Sequence, residues 1–170
     1  GEVQAMLAMA SFEGAQSVAL LSGLRPSGET DLYGDTFSSW FPFYAPAFGF
    51  EENHIYVAAY PQVGDACREP LRELLAKNPD ILFATPSVKS EIRCIAEEFQ
   101  AYKTTHPDNT TQLLFGDRGY NENLLTQIRN GPESIEGITL GPDPTSGFEA
   151  AYRSRFSVAN VPSYAANLYD

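Results

Sequence analysis

The chain is poor in the residues that most often carry chemistry. It has two cysteines, two histidines and one tryptophan in 170 residues. Cys67 and Cys94 form no CxxC pair, and His54 and His106 lie far from both and from each other, which excludes the usual zinc-site spacings. No Gly-x-Ser-x-Gly elbow is present. Basic residues are also scarce, 11 against 22 acidic, for a formal net charge of -11. Such a surface repels phosphate backbones, and no basic stripe offsets it, so nucleic acid is not an expected partner. No apolar stretch approaches the ~20 residues that span a bilayer. The chain shows no basic n-region or cleavage site and begins abruptly at Gly1-Glu2-Val3, as an excised piece would.

What the chain does have is a recurring pattern. Hydrophobic residues make up 43%, enough for one compact domain. Five short apolar runs, Ser17–Ser22, His54–Tyr60, Ile81–Thr85, Thr111–Gly116 and Gly137–Gly141, read as strands, and helix-like stretches separate them. The first helix is expected over Val3–Phe12, with Gly14 as its stop. A second begins near Asp31–Gly34, and Pro42 and Pro46 should break or kink it before Gly49. Another covers Ala66–Lys77, regular from Glu69, with Cys67, Leu71, Leu74 and Leu75 inward and Arg68, Glu69, Arg72 and Glu73 mostly toward water. The next starts at Ser87 as N-cap and buries Val88, Ile92, Ile95 and Phe99. Shorter helices are expected over Glu122–Arg129, Gly147–Phe156 and Tyr164–Asp170. Single-helix crossovers imply a three-layer α/β sandwich with a mostly parallel five-stranded sheet in flavodoxin-like order. Cys67 and Cys94 then sit near consecutive helices over one face. Both pairing states stay open, a disulfide in an oxidising compartment or two reduced core thiols.

In such a sheet ligands sit beyond the carboxyl ends of the strands, so the tips are where a site belongs. The first tip, Gly23-Leu24-Arg25-Pro26-Ser27-Gly28-Glu29-Thr30, follows a strand as a phosphate loop does. Glu29 stands where that motif needs lysine, and Pro26 removes a backbone donor, so nucleotide binding is not expected. A flavodoxin-type flavin site using Ser22, Ser27 and Thr30 is the enzymatic alternative. A receiver domain fails, because the third and fifth tips are Thr85-Pro86-Ser87 and Gly141-Pro142. Tyr33, Trp40, Phe41, Phe43, Tyr44 and Phe48 form a dense aromatic cluster. It reads either as a core-covering helix with irregular ends or as a patch that docks another domain.

Four segments carry a resemblance. Tyr33-Gly34-Asp35, Lys77-Asn78-Pro79-Asp80-Ile81-Leu82-Phe83, Phe115-Gly116-Asp117-Arg118-Gly119 and the run Phe148–Phe156, followed by Pro162, Tyr164-Ala165-Ala166 and Tyr169-Asp170, resemble the second lobe of type I periplasmic binding proteins of the branched-chain amino-acid-binding group. The resemblance implies a non-catalytic, cofactor-free lobe spanning residues 1–170, part of a longer chain, that closes on an amino acid or similar small solute together with a first lobe. It also implies Tyr33, Ser87, Asp117 and Arg118 as ligand contacts. The expected setting is periplasmic or extracytoplasmic, lipid-anchored or not, with membrane transporter subunits as partners.

Overall fold

The computed structural model describes residues 1–25, 32–116, 136–137 and 147–157. The chain divides into two compact units, residues 1–138 and 139–170. The first holds a five-stranded, wholly parallel sheet in the order β2-β1-β3-β4-β5. Its strands are β1 (Val18–Leu24), β2 (Ile55–Pro61), β3 (Ile81–Thr85), β4 (Gln112–Phe115) and β5 (Glu136–Gly137). The expected fold class and strand order hold. β1 is the central organiser, with Val18 opposite Ile55 on one side and Ile81 on the other.

Alternation along each strand feeds two cores. Ala19, Leu21, Leu82, Ala84, Leu113 and Phe115 face α3 (Arg68–Leu75) and α4 (Lys89–Thr105), packing on Leu71, Leu75, Ile92, Ile95 and Phe99. Val18, Leu20, Ile81, Phe83 and Leu114 face α1 (Glu2–Phe12) and α2 (Leu32–Tyr44), packing on Met6, Leu7, Phe37 and Phe41. Because helices cover both faces, the strands read as unbroken apolar runs rather than alternating ones. In the second unit α5 (Phe148–Phe156) forms where a helix was expected, with Gly147 before it at φ 70°.

One helix expectation holds at Pro46 but not at Pro42, since α2 does break before Gly49, and another needs correction. Pro42 sits inside α2, which continues to Tyr44 instead of breaking. Its ring faces solvent while neighbouring Phe41 is fully buried, and this anchorage offsets the one missing backbone bond. The break comes later, in a 3-10 turn over Ala45–Phe48 that contains Pro46 and ends at Gly49 with φ 96°. At α4 the N-cap is Val88, not Ser87, and Val88 is 51% exposed rather than buried.

Side chains fasten the amino ends of the strands. Asp80 Oδ2 accepts the Gln16 and Ser17 amides at 2.7 and 2.9 Å and the Ser17 hydroxyl at 3.1 Å. Asn78, at φ 49°, accepts the Thr110 amide through Oδ1 at 2.9 Å. Asn109 Nδ2 donates to the Leu75 carbonyl at 2.8 Å. The Lys77-Asn78-Pro79-Asp80 passage is therefore a clamp at the end of the sheet away from the strand tips. His54 precedes β2 and His106 follows α4, both toward this same end.

Cys67 and Cys94 are joined as a disulfide, which settles the alternatives the sequence left open. It ties the residue before α3 to the first half of α4. Beside it the Glu98 carboxylate, 3% exposed, accepts from Arg68 at 2.9 Å and Arg72 at 2.5 Å. Arg68 thus turns onto a neighbouring helix rather than mainly to water.

Candidate functional site

The carboxyl ends of β1, β3 and β4 form a wall of close approaches over glycines, and at Gly34 the approach is one that only glycine permits. A Cβ on Gly34 would lie 2.1 Å from the Gly23 carbonyl oxygen, so the start of α2 rests directly on the tip of β1. A Cβ on Gly116 would lie 3.0 Å from both the Tyr33 hydroxyl and Glu2 Oε1, so α1, α2 and the tip of β4 converge there. A Cβ on Gly23 would meet Gln62 at 2.8 Å and Glu91 Oε1 at 3.0 Å. Gln62 from the β2–α3 loop and Glu91 from α4 therefore lie over the tip of β1.

The wall is polar where the strands beneath it are not. Ser22 and Thr85, both fully buried, replace the aliphatic residues that fill the rest of their strands. Ser22 Oγ and Ser38 Oγ share a hydrogen bond at 2.6 Å, and the Thr85 hydroxyl faces the Leu21 carbonyl at 3.5 Å. Glu91 fixes the β3–α4 turn: its Oε2 accepts the Ser87 amide at 2.7 Å and the Val88 amide at 3.0 Å, two of the donors a helix start leaves open. Among the described residues its other oxygen, Oε1, is buried and meets no hydrogen-bond donor, with the residue 5% exposed. A buried carboxylate oxygen is stabilised by a donor, so Oε1 is a candidate acceptor in the wall.

Of the residues expected from the sequence, Tyr33 stands in this wall, its hydroxyl at the β4 tip and 3.5 Å from Glu2 Oε1. Ser87 stands at the β3 tip, half-buried, and presents its amide to Glu91. Asp117 and Arg118 lie outside the described residues, as do 26–31 of the first loop and the helices expected at Glu122–Arg129 and Tyr164–Asp170. Sequence reading missed Glu91, Gln62 and Glu2. For Glu91 a signal existed: an acidic residue three after a helix N-cap is one half of a capping box. Gln62 and Glu2 carry no local signal, because only the tertiary approach to Gly23 and Gly116 brings them in. Among the described residues no group of histidine, cysteine, aspartate and glutamate could hold a metal ion. No described helix is long and apolar enough to cross a membrane.

No protein-family model matches the chain. No curated protein matches its sequence. Solved structures do match its fold. A leucine-binding protein of Thermotoga maritima superposes with a TM-score of 0.64 at 18% identity, over 92% of this chain and 43% of that one. An extracellular ligand-binding receptor of Rhodopseudomonas palustris HaA2 gives 0.65 at 16%, over 99% and 46%. An ABC-transporter solute-binding protein of R. palustris BisB5, in complex with 3,4-dihydroxybenzoic acid, gives 0.62 at 15%, over 92% and 41%. The fold is that of the type I periplasmic binding proteins, and the chain spans less than half the length of the structures it matches.

Proposed function

We propose that a chain with this fold, and with this polar wall at its strand tips, is the ligand-binding second lobe of an extracytoplasmic solute-binding protein of ABC-transporter type. It binds and does not catalyse. A small solute is clasped between this wall and a first lobe outside the given sequence, and closure is favoured by the contacts the ligand gains in the closed state. The observation that carries the reading is the wall itself: Tyr33 over Gly116, the buried Glu91 Oε1 over Gly23, and Ser87 bonded to Glu91, at the sheet end where α/β folds bind ligands.

Tyr33 and Ser87 are the lobe's hydroxyl contacts in this reading, and Asp117 and Arg118 supply charge from the β4 tip. Glu91 is added as an acceptor for a ligand N–H or O–H. An amino acid or similar solute suits that set. Among the matched structures one is a leucine-binding protein, while others hold 3,4-dihydroxybenzoic acid or benzoate, so the ligand's apolar part is left to experiment. The disulfide supports an oxidising, extracytoplasmic setting. Transporter subunits are the proposed partners.

Amide-resolved NMR titration with an amino-acid panel and benzoate tests the site. Shifts gathered at Gly23, Tyr33, Ser87, Glu91 and Gly116 support it. Shifts gathered at the amino ends of the strands, around Asp80 and Asn109, would place binding elsewhere and sink the reading.

A further inference from the structure

The tip of β1 is crowded by two side chains from elements far apart in sequence. A Cβ on Gly23 would lie 2.8 Å from Gln62 Nε2 and 3.0 Å from Glu91 Oε1. A binding wall tolerates misplacement of only about half an ångström, so both side chains have to be held from behind.

The Cys67–Cys94 disulfide stands behind both of them. Cys94 follows Glu91 at i+3, so the two are neighbours on one face of α4, and they are 4% and 5% exposed. Cys67, 2% exposed, closes the loop that Gln62 opens and directly precedes α3. That loop is tightly wound. The Gln62 amide extends the β1–β2 ladder by donating to the Leu24 carbonyl at 2.8 Å, and the Val63 and Ala66 amides close turns onto the Pro61 and Val63 carbonyls at 2.7 and 3.1 Å. The disulfide therefore joins the end of the loop that carries Gln62 to the helical turn that follows Glu91.

α3 and α4 have a second tie, the Glu98 carboxylate with Arg68 and Arg72. Glu98 lies about 10 Å along the helix from Glu91, whereas Cys94 lies about 4.5 Å from it. Leu71, Leu75, Ile92, Ile95 and Phe99 bury the rest of the contact. The two helices are thus docked by apolar packing and an ion pair as well, and of the two cross-links the disulfide is the one beside the strand tips.

We propose that the Cys67–Cys94 disulfide is a positioning device for the strand-tip wall, which holds Gln62 and Glu91 in register over Gly23 in addition to the stability it adds. What this register does for a solute rests on the solute-binding reading above; the register itself does not.

Native-state amide hydrogen exchange on this chain without solute tests the register, so its outcome is separate from that of the binding reading. The reporters are the Ser87 and Val88 amides, which Glu91 Oε2 accepts at 2.7 and 3.0 Å. The Gln16 and Ser17 amides, held by Asp80 at the other end of the sheet, are the internal reference. In Cys67→Ala/Cys94→Ala the expected result is exchange at Ser87 and Val88 at least about tenfold faster than in the parent, with Gln16 and Ser17 within about twofold of it. Glu98→Gln, which loosens the other tie, should leave all four within about twofold. Equal acceleration at both ends of the sheet would make the bond a general staple and overturn the proposal. So would unchanged exchange at Ser87 and Val88. If the alanine pair does not fold, Cys67→Ala/Cys94→Val, which refills part of the lost volume, takes its place, and failure of both to fold overturns the proposal as well.

Discussion

Glu98 shows how a single side chain escapes a sequence reading. In α4 it follows Glu97 and looks like one half of a solvated acidic pair. Its burial comes from Arg68 and Arg72 on the neighbouring α3, which no local pattern reveals. Burial alone would raise its pKa, but the hydrogen bonds from Arg72 and Arg68 outweigh that and hold it below the ordinary 4.5. Asp80 behaves alike: burial raises it, the Gln16 and Ser17 donors win, and it falls below 3.8. Both groups are therefore more readily ionised in the folded state. The stability they add is fully present above those ordinary values and is lost as pH falls through the lower folded ones. Denaturant midpoints measured from pH 6 down to pH 2 should fall mainly below about pH 4.5 for the parent, and less steeply for Glu98→Gln. The same variant should cost about 2 kcal/mol at pH 7, short of a fully buried pair because Arg72 is 58% exposed and can be rehydrated. A flat pH profile in the parent would contradict this account. Gly34→Ala is the sharper residue-scale test. Its Cβ would meet a backbone oxygen that cannot rotate away, so a loss of roughly 3 kcal/mol or failure to fold is expected on thermal melting.

At the scale of elements, the sheet was the most legible part. β3 follows its expected bounds, and the described strands β1, β2 and β4 begin or end within two residues of theirs, because burial on both faces writes an unbroken apolar run into the sequence. Helix starts were less legible. Ser87 is a good cap by residue type, yet Glu91 reaches back to the turn and shifts the cap to Val88. Glu91→Ala should therefore cost about 1–2 kcal/mol through two lost acceptor contacts. If the wall reading holds, it also weakens solute binding in a protein carrying both lobes, whereas Glu98→Gln should not. The disulfide is an element-scale device too, joining the approach to α3 with α4 across 27 residues of chain. The Cys67→Ala/Cys94→Ala variant should lose about 3 kcal/mol, read as a melting point lower by roughly 10 °C. An unchanged melting point would mean that the bond does not constrain the unfolded chain. Within the aromatic cluster Phe41 builds the core, while Trp40 and Phe43, 45% and 67% exposed, lie outside it.

At the scale of the whole molecule, the amino ends of the strands are sewn together by Asp80, Asn78 and Asn109, and the carboxyl ends carry polar groups over glycine. That asymmetry separates the fastened end of the sheet from the end proposed to bind. The placement of Tyr33 and Ser87 at the strand tips was legible because their segments have a recognisable order along the chain. The Glu91, Gln62 and Glu2 contributions were not, because they depend on distances between elements far apart in sequence. In the proposed reading, a wall of this kind contacts only one side of a solute, and a first lobe supplies the rest. The measurement that bears most directly on the account is calorimetric titration of this chain alone with the amino-acid panel and benzoate. Because the proposed reading assigns the remaining contacts to a first lobe, the expected result is no saturable heat at solute concentrations up to about 1 mM. A micromolar dissociation constant for the chain by itself would contradict the account, because a complete site would then lie within these residues.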